Sequence, residues 1–313
     1  NKVGSAEVFY LSPDKRTLGM IAKLMRETAY DVLYLNSFFD FFFTTLPLLA
    51  RKYKSVPQKP CVIAPRGEFS QNAIKMKAWK KLPYQVLSDM IDLYTGLHWQ
   101  ASSKFEVSDI QRVMGKRARS IEVAPDLASA EALNSLGQLV SDAPISMSSP
   151  LRIVFLARIT PIKNLDFAIR VLSQVRAKVS FSLYGPVVDK SYWKHCQDQF
   201  KSLPSNICVT YHGPVNHIET PQILKSSHLL FLPTLGENFG HVIAESVTQG
   251  TPVLISDQTP WRDLQQHGAG WDFPLSNPDQ FTRQIDSIAS MPPAAYATLR
   301  QSTLAFASTL HAS

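Results

Sequence analysis

The sequence has few cysteines and no long hydrophobic run, and both features limit what the protein can be. Its 313 residues include Cys61, Cys196 and Cys208, whose spacing fits neither a zinc site nor a disulfide framework. The longest apolar segment, 38–50, is interrupted by an aspartate and a proline, and it is shorter than the roughly 18 residues that span a bilayer. Since no signal-peptide pattern opens the sequence, we expect a cytoplasmic protein.

Motifs for nucleic-acid binding are lacking as well. The sequence contains no zinc-finger spacing, no aromatic ribonucleoprotein motif and no basic tail. Its net charge of +7 nevertheless favours an anionic partner, such as a phosphorylated substrate or a membrane surface. We therefore expect a charged small-molecule or membrane partner and no nucleic acid.

Short apolar patterns typical of strands alternate with helix-length segments along the chain. In the second half these patterns cover 151–157, 179–184, 207–212, 229–233 and 252–256, and in the first half 8–11, 32–35, 61–64, 97–101 and 120–124. Such alternation is typical of βαβ units, so it predicts an α/β protein with a parallel sheet in each half.

A segment rich in Ser and Pro separates the two halves. It lacks periodicity, which predicts a linker at 143–150 between an N-terminal domain, 1–142, and a C-terminal domain, 151–313. The length also exceeds what one hydrophobic core usually supports. Two facing parallel sheets leave a cleft, and ligands of such sheets bind at the carboxyl ends of the strands.

Two cations follow the pattern at 151–157. Arg158 and Lys163 lie where a strand ends and the next helix begins, a place where an anion can be held. Arg offers a bidentate fork and Lys a point charge, so the pair could stabilise a diphosphate. The alternative is that both are ordinary solvated surface cations.

Two carboxylates follow the pattern at 229–233. Glu237 lies in a turn-rich loop, and Glu245 lies about one and a half turns into a predicted helix, 241–249. The two need not be adjacent and could reach different parts of one elongated ligand. Taken alone, Glu245 could equally belong to the polar face of an amphipathic helix.

The segment Glu237-Asn-Phe-Gly-His-Val-Ile-Ala-Glu245 resembles the E-x7-E motif of the family 4 glycosyltransferases of the GT-B fold. Arg158 and Lys163 match the diphosphate-binding pair of that family. The resemblance implies two Rossmann-like domains that face one another across a cleft. It also implies a retaining transfer of a hexose-type sugar from a nucleotide diphosphate sugar to a glycan or lipid-linked acceptor, in cell-surface polysaccharide synthesis.

The resemblance also implies roles for individual residues. Glu237 would contact the donor sugar and Glu245 the ribose hydroxyls. The backbone from Asn238 through Phe239, Gly240 and His241 to Val242 would hold sugar and phosphate oxygens, and Gly185 and Val215 would approach the nucleoside.

Arg66, in Ala64-Pro-Arg-Gly-Glu-Phe69, stands where many family members have a histidine near the sugar and the β-phosphate. A permanent cation at this position could stabilise the leaving group but could not shuttle a proton at neutral pH. A surface Arg before a turn glycine is the alternative.

The sequence contains no Asp-x-Asp, the metal-clamping motif of the other large glycosyltransferase fold. We therefore expect transfer without a metal and without a cofactor. The resemblance further implies that the first strand and Gly-rich loop of the family, and its C-terminal crossover helix, are missing here, so that the N-terminal domain is incomplete.

Two other functions remain open: a non-catalytic nucleotide-sugar-binding subunit, and a nucleotide-sugar epimerase of the same fold. The basic and aromatic segment 75–81 is either a solvated helix face or a contact with an anionic membrane or a lipid-pyrophosphate acceptor. Peripheral contact with the inner face of the membrane would suit the second interpretation.

Overall fold

The computed structural model describes residues 2–3, 6–75, 78–124 and 150–310. The chain divides into two compact units, 1–125 and 126–313. Most of the predicted linker, 143–149, lies outside the described residues, so its position remains a prediction.

The described strands, numbered in chain order, are β1 Lys2–Val3, β2 Ala6–Glu7, β3 Leu33–Leu35, β4 Cys61–Ile63, β5 His98–Ala101, β6 Ser120–Val123, β7 Leu151–Leu156, β8 Val179–Tyr184, β9 Ile207–Gly213, β10 Leu229–Leu232, β11 Val253–Ser256 and β12 Gly270–Phe273. The α-helices are α1 Leu18–Glu27, α2 Leu46–Lys52, α3 Gln71–Lys75, α4 Ala78–Met90, α5 Lys104–Met114, α6 Leu165–Leu172, α7 Lys190–Phe200, α8 Thr220–Lys225, α9 His241–Thr248, α10 Pro278–Ala289 and α11 Pro293–Thr309. Among the described helices, none is both long and apolar enough to cross a bilayer.

The first unit is built on a parallel sheet of four strands in the order β3-β4-β5-β6. Its core is aromatic: the ring of Phe38 is 1% exposed and contacts the rings of Phe69, Tyr94 and Trp99. The predicted strand at 8–11 is wrong. These residues are irregular and precede a 3-10 turn at Pro13–Lys15; none of the described strands pairs with them, and Phe9 and Tyr10 are largely exposed.

The second unit is a six-stranded parallel sheet in the order β12-β11-β10-β7-β8-β9. Numbered within the unit, this is the doubly wound order 6-5-4-1-2-3. All four residues of β10 and of β11 are buried because helices cover both faces of the central strands, whereas β9 lies at the edge and, after the buried Ile207, alternates between exposed and half-buried residues. The parallel α/β fold predicted from the sequence is confirmed in both units.

The buried His228 makes the stability of the second unit depend on pH. It lies directly before β10, and its Nδ1 accepts a hydrogen bond from the backbone N–H of Arg152 at 3.0 Å. Burial, followed by the charges of Arg152 and Arg300, lowers the pKa of His228 to about 3. The folded protein therefore keeps this imidazole neutral where an unfolded chain, with an ordinary pKa of about 6.5, would take up a proton.

The stabilising effect of a neutral His228 is present above about pH 6.5 and is lost as the pH falls towards 3, by up to about 1.4 kcal/mol per pH unit. We expect the wild type to lose about 2 kcal/mol more than His228→Asn between pH 7 and pH 5 in urea denaturation. Asparagine retains an acceptor but does not titrate. His195→Asn, at an exposed position of α7, is the control and should behave as the wild type. Equal pH dependence in wild type and His228→Asn would contradict this account.

Candidate functional site

The centre of the second sheet brings the predicted site residues Lys163 and Glu237 together. Strands β7 and β10 are neighbours, and the order of the strands reverses between them. Open α/β sheets bind ligands outside the carboxyl ends of the strands at such a switch point. The loop after β7 carries Arg158 and Lys163, and the loop after β10 carries Glu237.

Lys163 and Glu237 form an ion pair. The Lys163 Nζ donates a hydrogen bond to Glu237 Oε1, and each side chain is 13% exposed. The sequence predicted a cation for the phosphates and a carboxylate for the sugar, but it did not predict that they pair. Any anion that engages Lys163 must compete with this carboxylate. Arg158 is exposed and forms no ion pair with the residues that the structure describes.

Polar side chains that sequence reasoning missed hold these two loops together. Asn164, in the left-handed conformation at φ 60°, is buried and donates from Nδ2 to the carbonyl of Pro233 at 2.8 Å. The buried Thr234 donates from Oγ1 to the carbonyl of Ile162 at 2.9 Å. Both contacts span about 70 residues of sequence. They fix the positions from which Lys163 and Glu237 meet.

The helix α9 begins at this site, as predicted from the sequence. Gly240 stands at its N-cap with φ 84°, and a Cβ there would come within 2.8 Å of Ile243 Cδ1 and 3.3 Å of Trp261 Nε1. The positive φ therefore favours glycine, and any larger residue would also have to displace the Ile243 side chain. The first turn of an α-helix directs backbone N–H groups and a partial positive charge outward. His241 and Val242 belong to this turn, and His241 is exposed.

Trp261 supports the loop before α9. Its indole N–H donates to the carbonyl of Phe239 at 2.5 Å, and the two rings pack edge to face at 5.8 Å between centroids. The half-buried Asn238 and Phe239 are thereby placed between Glu237 and the helix. The only sequence signal for Trp261 is its position shortly after β11.

Glu245 lies in the second turn of α9 and has a different partner from Glu237. Its Oε1 is 3.1 Å from Nε2 of His217, a residue in the 3-10 turn after β9 that the sequence analysis missed. The Glu245 side chain is 13% exposed, and burial raises the pKa of its carboxyl, while His217 and His241 oppose that rise. The two carboxylates of the segment thus have different basic partners, Lys163 for Glu237 and His217 for Glu245.

Gly185 and Val215 occupy the ends of β8 and β9. Gly185 has φ 131°, and a Cβ there would lie 2.0 Å from the carbonyl oxygen of Ala157, so the chain passes tightly beside the residue before Arg158. Val215 is half-buried and follows β9 by two residues. Both therefore lie at the same carboxyl edge as the residues above.

Arg66 belongs to the first unit, at the carboxyl end of β4. It adopts φ 53° and donates to Asn36 Oδ1 at 2.6 Å and to the Tyr34 hydroxyl at 2.9 Å. Two carboxylates that the sequence analysis did not consider fix this turn. Glu106, 4% exposed, accepts from the N–H of Gly67 at 2.6 Å, and Glu68 accepts from the N–H of Phe38 at 2.6 Å.

No group of three or more His, Cys, Asp and Glu side chains that could hold a metal ion occurs among the described residues.

Solved glycosyltransferases of the GT-B fold have a fold similar to that of this chain. The Anabaena protein HepE (Alr3699), solved with UDP and glucose, has a TM-score of 0.70 at 18% identity, over 93% of this chain and 76% of that one. A glycosyltransferase from Rickettsia africae has a TM-score of 0.68 at 14% identity, over 97% and 79%. WaaG, a glycosyltransferase involved in lipopolysaccharide biosynthesis, has a TM-score of 0.65 at 12% identity, over 96% and 93%.

The chain belongs to the glycosyl transferases group 1 family, whose model matches residues 144–303. A curated relative, the uncharacterized glycosyltransferase MJ1607 of Methanocaldococcus jannaschii, is 26% identical over 144 residues, which are 44% of this chain and 35% of that protein. The match thus spans about a third of that relative's length. The glycosyltransferase class and the GT-B fold predicted from the sequence are confirmed.

Proposed function

We propose that this protein transfers a hexose-type sugar from a nucleotide diphosphate sugar to a glycan or lipid-linked acceptor, with retention of the anomeric configuration. The observation that carries the proposal is the convergence of Lys163, Glu237 and the N-terminus of α9 at the switch point of the second sheet. This arrangement offers a cation, helix N–H groups and a carboxylate to one phosphate-linked sugar.

The diphosphate would bind where positive charge collects. Lys163 and Arg158 supply full charges, and the N–H groups of the first turn of α9 supply partial ones. As Lys163 turns to the phosphates, Glu237 is released from its ion pair to accept hydrogen bonds from the sugar hydroxyls. Binding of the donor thereby positions the carboxylate that orients the donor's own sugar.

In the proposed step the bond between the anomeric carbon and the phosphate oxygen breaks, and its electron pair stays on the departing diphosphate. The acceptor oxygen forms the new bond on the same face of the sugar and gives its proton to the departing phosphate oxygen. The protein acts by positioning the reactants and by stabilising the leaving charge. Arg66 in the first unit is proposed as a further cation for that charge.

Glu245 is proposed to accept hydrogen bonds from the ribose, with His217 holding its carboxylate in place. We expect Glu245→Gln to weaken nucleotide binding about tenfold, since two charge-assisted hydrogen bonds become neutral ones. Binding of the free nucleobase, which has neither ribose nor phosphate, should not change. Calorimetric titration with the nucleoside diphosphate measures the effect, and Glu122→Gln, at an exposed position of β6, is the control. Unchanged nucleotide affinity in Glu245→Gln would remove the ribose role.

Uridine diphosphate is the nucleotide we propose, because structural neighbours were solved with UDP or UDP-glucose. Nucleotides that bind the folded state raise its melting temperature. We expect UDP to stabilise the protein more than GDP or ADP, and a chelator to leave both that shift and the transfer reaction unchanged. Loss of transfer with a chelator, restored by a divalent metal, would refute the metal-independent mechanism.

Tight UDP binding with no transfer to any lipid-linked or glycan acceptor would favour a non-catalytic binding subunit. Conversion of the donor sugar into another sugar in the absence of an acceptor would favour an epimerase.

We place this activity in cell-surface polysaccharide synthesis on the cytoplasmic side of the membrane. The three cysteines are all free thiols, and Cys61 and Cys196 are buried, which suits a reducing compartment.

A further inference from the structure

The helix α4 has its apolar side turned outward. We call the large apolar residues and the proline on this side the outer stripe: Trp79, Leu82, Pro83, Val86, Leu87 and Met90. At 100° per residue they cover an arc of about 140° on the helix. The five large apolar side chains of the stripe are between 54% and 76% exposed. Single exposed apolar residues are common, but a contiguous patch of this kind marks an interaction surface.

The opposite side of α4 faces its own unit and is polar. The Tyr84 hydroxyl lies 2.8 Å from Thr45 Oγ1, and Ser88 is 4% exposed. Lys81 donates to the carbonyl of Ala73 at 2.7 Å. The polar side is thus occupied by contacts within the unit, so the outer stripe is not needed for the unit's own core.

The charges next to the outer stripe are positive apart from Asp89, which is paired with Arg117. Lys80 lies at its border with Nζ 4.8 Å from the ring centroid of Trp79, and the exposed Lys75 precedes the helix. The acid on the helix, Asp89, borders the stripe beside Leu82, but its charge is paired with that of Arg117 in the same unit. A helix with an apolar face, lysines beside it and a tryptophan at one end of that face matches the chemistry of a bilayer surface, where acyl chains lie below anionic headgroups.

We propose that α4 lies in the surface of an anionic phospholipid bilayer, with the outer stripe at the acyl boundary and Lys75 and Lys80 at the lipid phosphates. An anionic bilayer fits better than a second copy of the chain, because the net charge of +7 makes two copies repel and draws the protein to negative lipid. This inference is independent of the proposed sugar transfer, since it involves residues of the first unit that take no part in binding the donor.

Flotation of the full chain with vesicles tests the proposal. We expect binding to phosphatidylcholine vesicles that contain about 30% phosphatidylglycerol and at least tenfold weaker binding to pure phosphatidylcholine. Leu82→Ser with Leu87→Ser should lower binding at least tenfold, and Lys80→Gln about fivefold. Raising the salt concentration should weaken binding, since exposed charges are screened.

Matched variants separate docking from general surface changes. Tyr53→Ser, at a 71% exposed aromatic of the same unit, and Lys194→Gln, at an exposed lysine of α7, should bind vesicles as the wild type does. Since the stripe is exposed, the docking variants should keep the wild-type melting temperature and UDP affinity. A failure of UDP binding alone would count against the proposed function and not against docking.

Three results would overturn the proposal. They are no vesicle binding by the wild type, equal binding to neutral and anionic vesicles, and wild-type binding by the Leu82→Ser, Leu87→Ser protein. A wild-type dimer that becomes a monomer in that variant, without vesicle binding, would assign the stripe to a second copy instead.

Discussion

Glu237→Gln is expected to lower sugar transfer about 10³-fold and to leave UDP binding as tight as in the wild type, or tighter. Glutamine cannot offer the sugar a charged acceptor, so the orientation of the donor sugar is lost. At the same time the substitution removes the competitor of the diphosphate for Lys163, which pairs with Glu237 in this structure. The result separates binding from catalysis within one residue.

Transfer is measured as release of UDP from UDP-sugar in the presence of acceptor, and binding by calorimetry. Glu27→Gln is a suitable control because Glu27 is also next to a lysine, with 3.9 Å between its Oε1 and Lys23 Nζ, but lies on the exposed surface of α1. A weakening of UDP binding in Glu237→Gln that equals the loss of transfer would place the carboxylate on the nucleotide instead of on the sugar.

Lys163→Met is expected to weaken UDP binding about 100-fold, which corresponds to about 2.7 kcal/mol. Methionine keeps most of the length of the side chain and removes the charge that faces the diphosphate. The substitution also leaves the mostly buried Glu237 carboxylate without its cation, so negative charge remains where the phosphates bind. The two effects act in the same direction.

Calorimetry with UDP measures the loss, and Lys201→Met provides the control. Lys201 also pairs with a carboxylate, Asp198 at 2.7 Å, but is 77% exposed on the surface of the second unit. Uridine, which lacks phosphates, should bind wild type and Lys163→Met equally. A UDP affinity within threefold of the wild type in Lys163→Met would exclude this lysine from the phosphate site.

The sequence predicted the second unit well because buried parallel strands are continuous apolar runs. Residues 229–233 and 252–256 read as strands for the same reason that β10 and β11 are fully buried. The strand β12 was missed because Gly270 and Asp272 break such a run. The error at 8–11 was of the opposite kind. Its apolar residues suggested a strand, but a strand also needs a neighbouring strand to pair with, and sequence periodicity does not show whether one is present.

In the candidate site, too, some features could be predicted from the sequence and others could not. Spacing and resemblance singled out Lys163, Glu237 and Glu245 as candidates, because these residues follow recognisable strands or lie in the first turns of a helix. The ion pair of Lys163 with Glu237 joins residues 74 apart, and the contact of Glu245 with His217 joins residues 28 apart. Such pairs depend on which strands are neighbours, and that order is a property of the sheet.

Helix α4 shows what a pattern leaves undecided. Periodicity identifies an apolar and a polar side of a helix but does not say which side faces the protein. The basic segment 75–81 suggested a solvated face or a membrane contact. The structure adds that the apolar side, from Trp79 to Met90, points outward.

A crystal structure of the full chain with UDP bound tests the central claim most directly. We expect the diphosphate to lie about 3 Å from Lys163 Nζ and from the N–H groups at the start of α9, with Glu237 released from its ion pair and Glu245 on the ribose. A nucleotide bound elsewhere, with the pair between Lys163 and Glu237 intact, would contradict the account.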